Sequence, residues 1–290
     1  MAGEGSLSVN TAVATKKVKG AWTLKRLLYL LDMLEKYDTQ VEKKQSRSGW
    51  AAAFCFIASI VDVIIWNISE IDAVGYLSLI FLLLFVYFLI SYRGCVKKDL
   101  PNDFRDYLIP LLKLLSADIE DRSKIALNMD IAQLRRKEYS SGVKTEPHNA
   151  PYYKITSELF ERPLMTLAIH LRDGNRILME RFESLTVVVK KKKNPRGKIK
   201  TKEKIKRRVL TRMRLVVNPR VYAVRKNILT PAGTLVSSKA GAKRVTLDMR
   251  FAEKGGSEVG MKPALSIRQI AFLYSCIAPA KRNRGDNRIQ

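Results

Sequence analysis

The sequence predicts a membrane protein in which an N-terminal hairpin of two transmembrane helices precedes a mainly β, strongly basic cytoplasmic domain, built as a sandwich or a large curved antiparallel sheet. Three observations carry this reading. Two apolar runs lie close together before residue 93, and the hydrophobic pattern turns from helical to alternating after Ser123. In addition, 53 Lys and Arg against 27 Asp and Glu leave a formal charge of +26. Such a charge makes phosphates and other anionic surfaces the natural partners of this chain.

The first run, Trp50 to Ile68, reads WAAAFCFIASIVDVIIWNI; the second, Ala73 to Tyr92, reads AVGYLSLIFLLLFVYFLISY and carries no charge. At about 1.5 Å per residue each is long enough for a hydrocarbon core of about 30 Å. Only the stretch from Ser69 to Asp72 joins them, so the helices must be antiparallel and both long flanks must lie on one side. Lys43, Lys44 and Arg47 precede the pair and Arg93, Lys97 and Lys98 follow it, whereas the connector carries Glu70 and Asp72. The positive-inside rule therefore places both termini in the cytoplasm. The first 49 residues are polar or amphipathic and do not fit a cleavable export signal. Cys55, Cys95 and Cys276 are too far apart for a zinc knuckle or a disulfide lattice, which suits a reducing compartment.

Residues 1–20 are expected to form a flexible N-terminus. An amphipathic helix over 21–45 places Leu24, Leu27, Leu31 and Leu34 on one stripe, with Leu28 and Tyr37 widening it. The hairpin occupies 50–92. A helical connector over 93–120 is expected to start at Pro101-Asn102-Asp103 and to kink or restart at Pro110, because proline lacks the amide hydrogen of a helix interior.

The β domain, 121–290, opens with Ile125, Leu127, Met129 and Ile131 alternating with smaller or polar residues. Asp173-Gly174-Asn175 marks a tight turn between PLMTLAIHL and RILMERF, after a polar loop over 140–149. Asn194-Pro195-Arg196-Gly197 marks the tip of a long basic hairpin. Further strands are expected at Tyr222 to Asn227, Thr234 to Ser237 and Val245 to Phe251, and a core strand or short packed helix within Leu265 to Ala278.

The candidate polyanion site is the block Lys190, Lys191, Lys192, Lys193, Arg196, Lys198, Lys200, Lys202, Lys204, Lys206, Arg207 and Arg208, interrupted by the single acid Glu203. These charges repel one another, and phosphates relieve that repulsion. Lysine outnumbers arginine and no regular aromatic spacing runs through the block, which fits loose phosphate attraction better than base reading. An anionic leaflet, a nucleic acid and an acidic protein all satisfy this chemistry. Within the first span, Asp62 forms a polar site for which Tyr76 or Ser78 of the second span supplies a hydroxyl; contact with another copy in a homo-oligomer is the alternative.

No motif supports catalysis. His148 and His170 lack an HExxH or cysteine-rich setting, and Gly255-Gly256 lacks the spacing and lysine of a phosphate loop, so no metal or cofactor is expected. The working function is a membrane-anchored binding or assembly subunit that presents the basic domain to an anionic partner. Two other classes compete: an oligomeric pore or ion conductor, and an enzyme with a loop-built site.

Overall fold

In a computed structural model, which describes residues 9–69, 72–146, 152–194, 196–225, 235–241, 244–255 and 262–280, the chain begins with α1 (Val9–Thr15) and β1 (Lys17–Trp22). Two long helices follow, α2 (Leu24–Ser69) and α3 (Asp72–Lys98), then α4 (Ile109–Leu114). Next come β2 (Ile125–Asp130), β3 (Ser140–Glu146), β4 (Lys154–His170), β5 (Arg176–Lys193), β6 (Ile199–Val217) and β7 (Tyr222–Val224). The chain continues through β8 (Leu235–Gly241), β9 (Arg244–Gly255), α5 (Pro263–Ser275) and β10 (Ile277–Pro279). Contacts divide it into Leu30–Leu100 and a second unit, Met1–Tyr29 with Pro101–Gln290.

In the first unit α2 and α3 pack antiparallel, with small residues at the crossing points. Ser48 Oγ lies 3.4 Å from Ser91 Oγ, and Ser59 Oγ donates to the Ser78 carbonyl at 3.2 Å. Gly75 lets the Trp66 ring approach so closely that an added Cβ would lie 3.2 Å from it. The Phe56 and Phe85 rings meet at 5.2 Å between centroids. Two long apolar helices are therefore present, as the composition of the two runs requires. The amphipathic segment and the first span are one unbroken helix rather than two: no proline or glycine pair separates Leu24 from Gly49.

The second unit is a mixed α/β structure with a large open sheet in the order β1-β2-β4-β5-β6-β9-β8, to which β3 adds along the N-terminal half of β4, and a separate two-stranded sheet that pairs β7 with β10. Every pairing is antiparallel. This overturns the expected sandwich or curved sheet: among the described residues the large sheet is open and neither closes nor curls. The apolar inner face is instead covered by helices. Leu127, Leu167, Met179, Met213 and Met249 share a register row across five strands and are all buried. The helical stretch 104–114 and α5 lie on this face, where Tyr107 touches both Met179 and Ser266. Alternation shows only that one face of each strand is buried, and a helix layer satisfies that as well as a second sheet does.

Several local expectations change for identifiable reasons. Residues 9–20, assigned to a flexible N-terminus, contain α1 and most of the edge strand β1, whose last residues, Ala21 and Trp22, fall in the segment expected to open the amphipathic helix. Before Pro110 the helix widens into a π turn, Phe104–Leu108, in which the Ile109 amide reaches back to the Phe104 carbonyl; Pro110 then sits in the first turn of α4, where its missing amide hydrogen costs little. The polar stretch expected as a loop forms β3, whose side chains are almost all exposed and so carry no apolar alternation. Leu265 to Ala278 is mostly helix, with β10 at its end. Glu70, His148, Pro195, Asn227, Thr234 and Gly256 lie outside the described residues.

Candidate functional site

β5 and β6 form a long antiparallel arm, and their register sorts the basic block by face. Lys190 pairs with Lys202 and Lys192 with Lys200, so both pairs point the same way, joined by Lys204, Lys206 and Arg208 at alternate positions of β6. On this outer face the arm carries no acid between residues 184 and 208. Glu203, the one acid of the block, lies on the opposite face and pairs there with Arg135 at 2.9 Å. Lys191 and Lys193 share that opposite face, while Arg196 and Lys198 lie in the turn, where Gly197 adopts φ 79°. Lysines 200, 202, 204 and 206 are all exposed, and the Lys190 ammonium lies 5.1 Å from the centre of the Tyr152 ring.

Adjacent residues at the base of the arm meet different fates. Arg208 is exposed on the outer face, whereas Arg207 turns inward and donates to Asp103 and Glu183. Glu183 also receives Arg162 Nη2 at 2.7 Å, and Arg162 continues to the Ala132 carbonyl and lies 3.7 Å from Asp130. Tyr139 donates to Asp130 at 2.6 Å. Burial pushes the Asp103 carboxyl above its ordinary 3.8, and the negative Glu183 adds to that shift, while Arg207 partly offsets it. Three carboxylates thus share two guanidinium groups beneath the helices. Close by, the fully buried Arg181 lies 3.9 Å from the centre of the Tyr107 ring and reaches Glu253 at 3.3 Å.

Charge continues along the outer face beyond the arm, in alternating signs. Arg214 binds Glu180, and Arg212 donates through Nε to Asp248 at 2.9 Å. Burial works against the Asp248 carboxylate, but the Arg212 hydrogen bonds and charge outweigh it and hold the carboxyl below its ordinary value. This part of the face is neutralised internally, in contrast to the arm.

The three polar residues of the hairpin are not joined. Asp62 Oδ2 is enclosed with no hydrogen-bond partner among the described residues; the Ser78 hydroxyl donates to the Gly75 carbonyl at 3.1 Å and Tyr76 is exposed. Elsewhere in the same unit, Asp38, Glu42 and Asp99 bring carboxylate oxygens within 4.8 Å of one another and can hold a cation; Asp38 also accepts the Leu100 amide at 3.0 Å. In the sheet unit an apolar cavity of about 460 Å³ opens between α5 and the β4–β5 turn, lined by Leu115, Leu171, Ile177, Ile270 and Tyr274 among others. Sequence reasoning missed this cavity because its lining comes from segments far apart in the chain. His170 is exposed at the end of β4, and Cys55, Cys95 and Cys276 are buried free thiols.

Comparison with protein-family models, with curated proteins and with solved structures finds no match to this chain.

Proposed function

We propose that the chain is a two-pass membrane-anchored binding protein, with both termini cytoplasmic, that presents the outer face of its basic arm to an anionic partner. The observation that carries this reading is the register of β5 and β6, which gathers Lys190, Lys192, Lys200, Lys202, Lys204, Lys206 and Arg208 on a face to which neither strand of the arm adds an acid and sends Glu203 to the other. Cations this close favour a polyanion that relieves their mutual repulsion.

The anchoring half rests on exposure. Ile57, Ile64, Leu83 and Ile90 are each more than half exposed, and none of the apolar window of α3 is buried. A contiguous apolar surface of this kind calls for a covering medium, and a bilayer supplies one. The charge contrast between Lys43, Lys44, Arg47, Arg93, Lys97 and Lys98 and the acidic connector supports the orientation.

Two measurements test the proposal on the full chain in sealed vesicles. Ser69→Cys, read with an impermeant maleimide, is expected to react only from the extracytoplasmic side, since the native cysteines are buried. Reaction only from the cytoplasmic side overturns the orientation. Binding to heparin, RNA and phosphatidylserine vesicles is expected to fall with salt; indifference to all three polyanions leaves the arm without this role.

A further inference from the structure

The outer face carries an apolar row that no charge argument explains. Pro163 pairs with Phe182, Phe182 with Leu210 and Leu210 with Ala252, so four nonpolar side chains line up across β4, β5, β6 and β9. All four are exposed, Phe182 by 45% and Leu210 by 37%. The flanking rows are polar. On the arm side lie Glu161, Ser184 and Arg208; on the other lie Thr166, Glu180, Arg212 and Arg250. Of these acids, Glu180 is bound by Arg212 and Arg214, and Glu161 accepts a hydrogen bond from Ser141. The lysines of the arm extend the same face beyond Arg208.

We infer that this face docks on an anionic lipid bilayer, with the Pro163, Phe182, Leu210 and Ala252 row entering the boundary between headgroups and acyl chains and the arm lysines and Arg208 meeting the headgroups. The inference rests on the polyanion reading above and narrows its partner. An apolar stripe adjoining a cationic arm is the pattern of surfaces that settle into a membrane interface, where apolar burial and attraction to anionic lipid act together. Nucleic acid fits the row poorly: Phe182 is its only aromatic ring, and a base stacks on aromatic faces rather than on proline, leucine and alanine. Lysine, a compact and strongly hydrated charge, matches the headgroup layer without demanding bidentate geometry.

The test places an environment-sensitive dye on Phe182→Cys, and independently on Leu210→Cys, in the otherwise complete chain; the three native cysteines are buried and do not compete for the dye. The protein is reconstituted in discs of phosphatidylcholine alone or of an equal mixture with phosphatidylserine. In the mixed discs both dyes are expected to shift to the blue, to lose iodide quenching and to be quenched by nitroxide-labelled acyl chains, with none of these changes in phosphatidylcholine. The double variant Phe182→Ser with Leu210→Ser is expected to bind phosphatidylserine vesicles about tenfold more weakly while keeping the salt dependence. Identical emission in both discs, with iodide quenching intact, overturns the docking. A dye response to added single-stranded RNA but not to phosphatidylserine overturns it too and leaves the polyanion reading standing. If the dyes are silent and the full chain binds neither RNA nor anionic vesicles, both fail together.

Discussion

Arg207 Nη2 lies 3.1 Å from both carboxylate oxygens of Asp103, a residue 104 positions earlier in the chain. This contact fastens the base of the arm to the start of the helical stretch that covers the sheet. Arg207→Gln leaves Asp103 and Glu183 sharing less positive charge in a buried site, a loss on the order of 3–5 kcal/mol when one partner of a buried pair is removed. Arg208→Gln, one residue on and exposed, is expected to change stability by less than about 0.5 kcal/mol. Thermal unfolding of both variants in the same detergent checks the contrast, and equal losses would show that the inward contact contributes nothing.

The same sidedness is expected to govern binding. Replacing Lys200, Lys202, Lys204 and Lys206 by glutamine is expected to weaken capture by anionic vesicles by roughly three orders of magnitude, at about 1 kcal/mol per lysine near the surface. Replacing Lys191, Lys193, Arg196 and Lys198 removes equal charge from the opposite face and the turn, and is expected to cost much less. Vesicle co-sedimentation over a salt series reads the difference; a loss set by charge count alone would show that the register does not matter.

Asp103 and Asp248 are expected to give opposite pH dependence. The folded Asp103 carboxyl lies above its ordinary 3.8, so the folded state holds the extra proton and this contribution is lost as pH rises through the raised value. The folded Asp248 carboxyl lies below 3.8, so its contribution is present above that pH and is lost as pH falls through the depressed value. Unfolding free energies of Asp103→Asn and Asp248→Asn, each compared with the parent from about pH 2 to 6, should therefore diverge from it with slopes of opposite sign.

Asp62→Leu removes a carboxyl whose Oδ2 has no hydrogen-bond partner among the described residues. Membrane insertion of the segment is expected to improve by about 2.5–3.5 kcal/mol, the penalty of a charged side chain at the centre of a span. Asp62→Asn, which keeps a polar group of similar size, should recover only part of this gain. A glycosylation-based insertion assay measures both, and a leucine variant that inserts less well than the parent would show that the carboxyl supports the hairpin.

Gly174→Ala strains the β4–β5 turn in two ways: Gly174 has φ 80°, and an added Cβ would lie 2.8 Å from Asn218 Nδ2. The left-handed backbone alone costs roughly 1–2 kcal/mol, and Asn218 must shift besides. The expected loss is read in the melting temperature, with Gly142→Ala as a control for positive φ without crowding, since nothing lies within 4 Å of its Cβ position.

What was legible in the sequence was local. The two apolar runs, the turn at Asp173-Gly174-Asn175, the long basic hairpin and the alternation from Ile125 each depend on neighbours within a few residues, and each corresponds to an observed element. Of the stripe Leu24, Leu27, Leu31 and Leu34, the last three are buried and Leu24 is half-buried. Tertiary structure decided what covers those faces and which way each charge points. Alternation in β2, β5 and β6 demands a cover without naming it, and helices far along the chain, around Tyr107 and Ser266, supply it in place of a second sheet. Arg207 and Arg208 are neighbours of the same residue type; strand pleating sends them to opposite faces, and Asp103 and Glu183 make the inward one an internal ion pair. The row from Pro163 to Ala252 exists only because four strands align in register, since the side chains that compose it share no sequence neighbourhood. Local periodicity reports which residues leave water, whereas long-range pairing determines what they meet when they do.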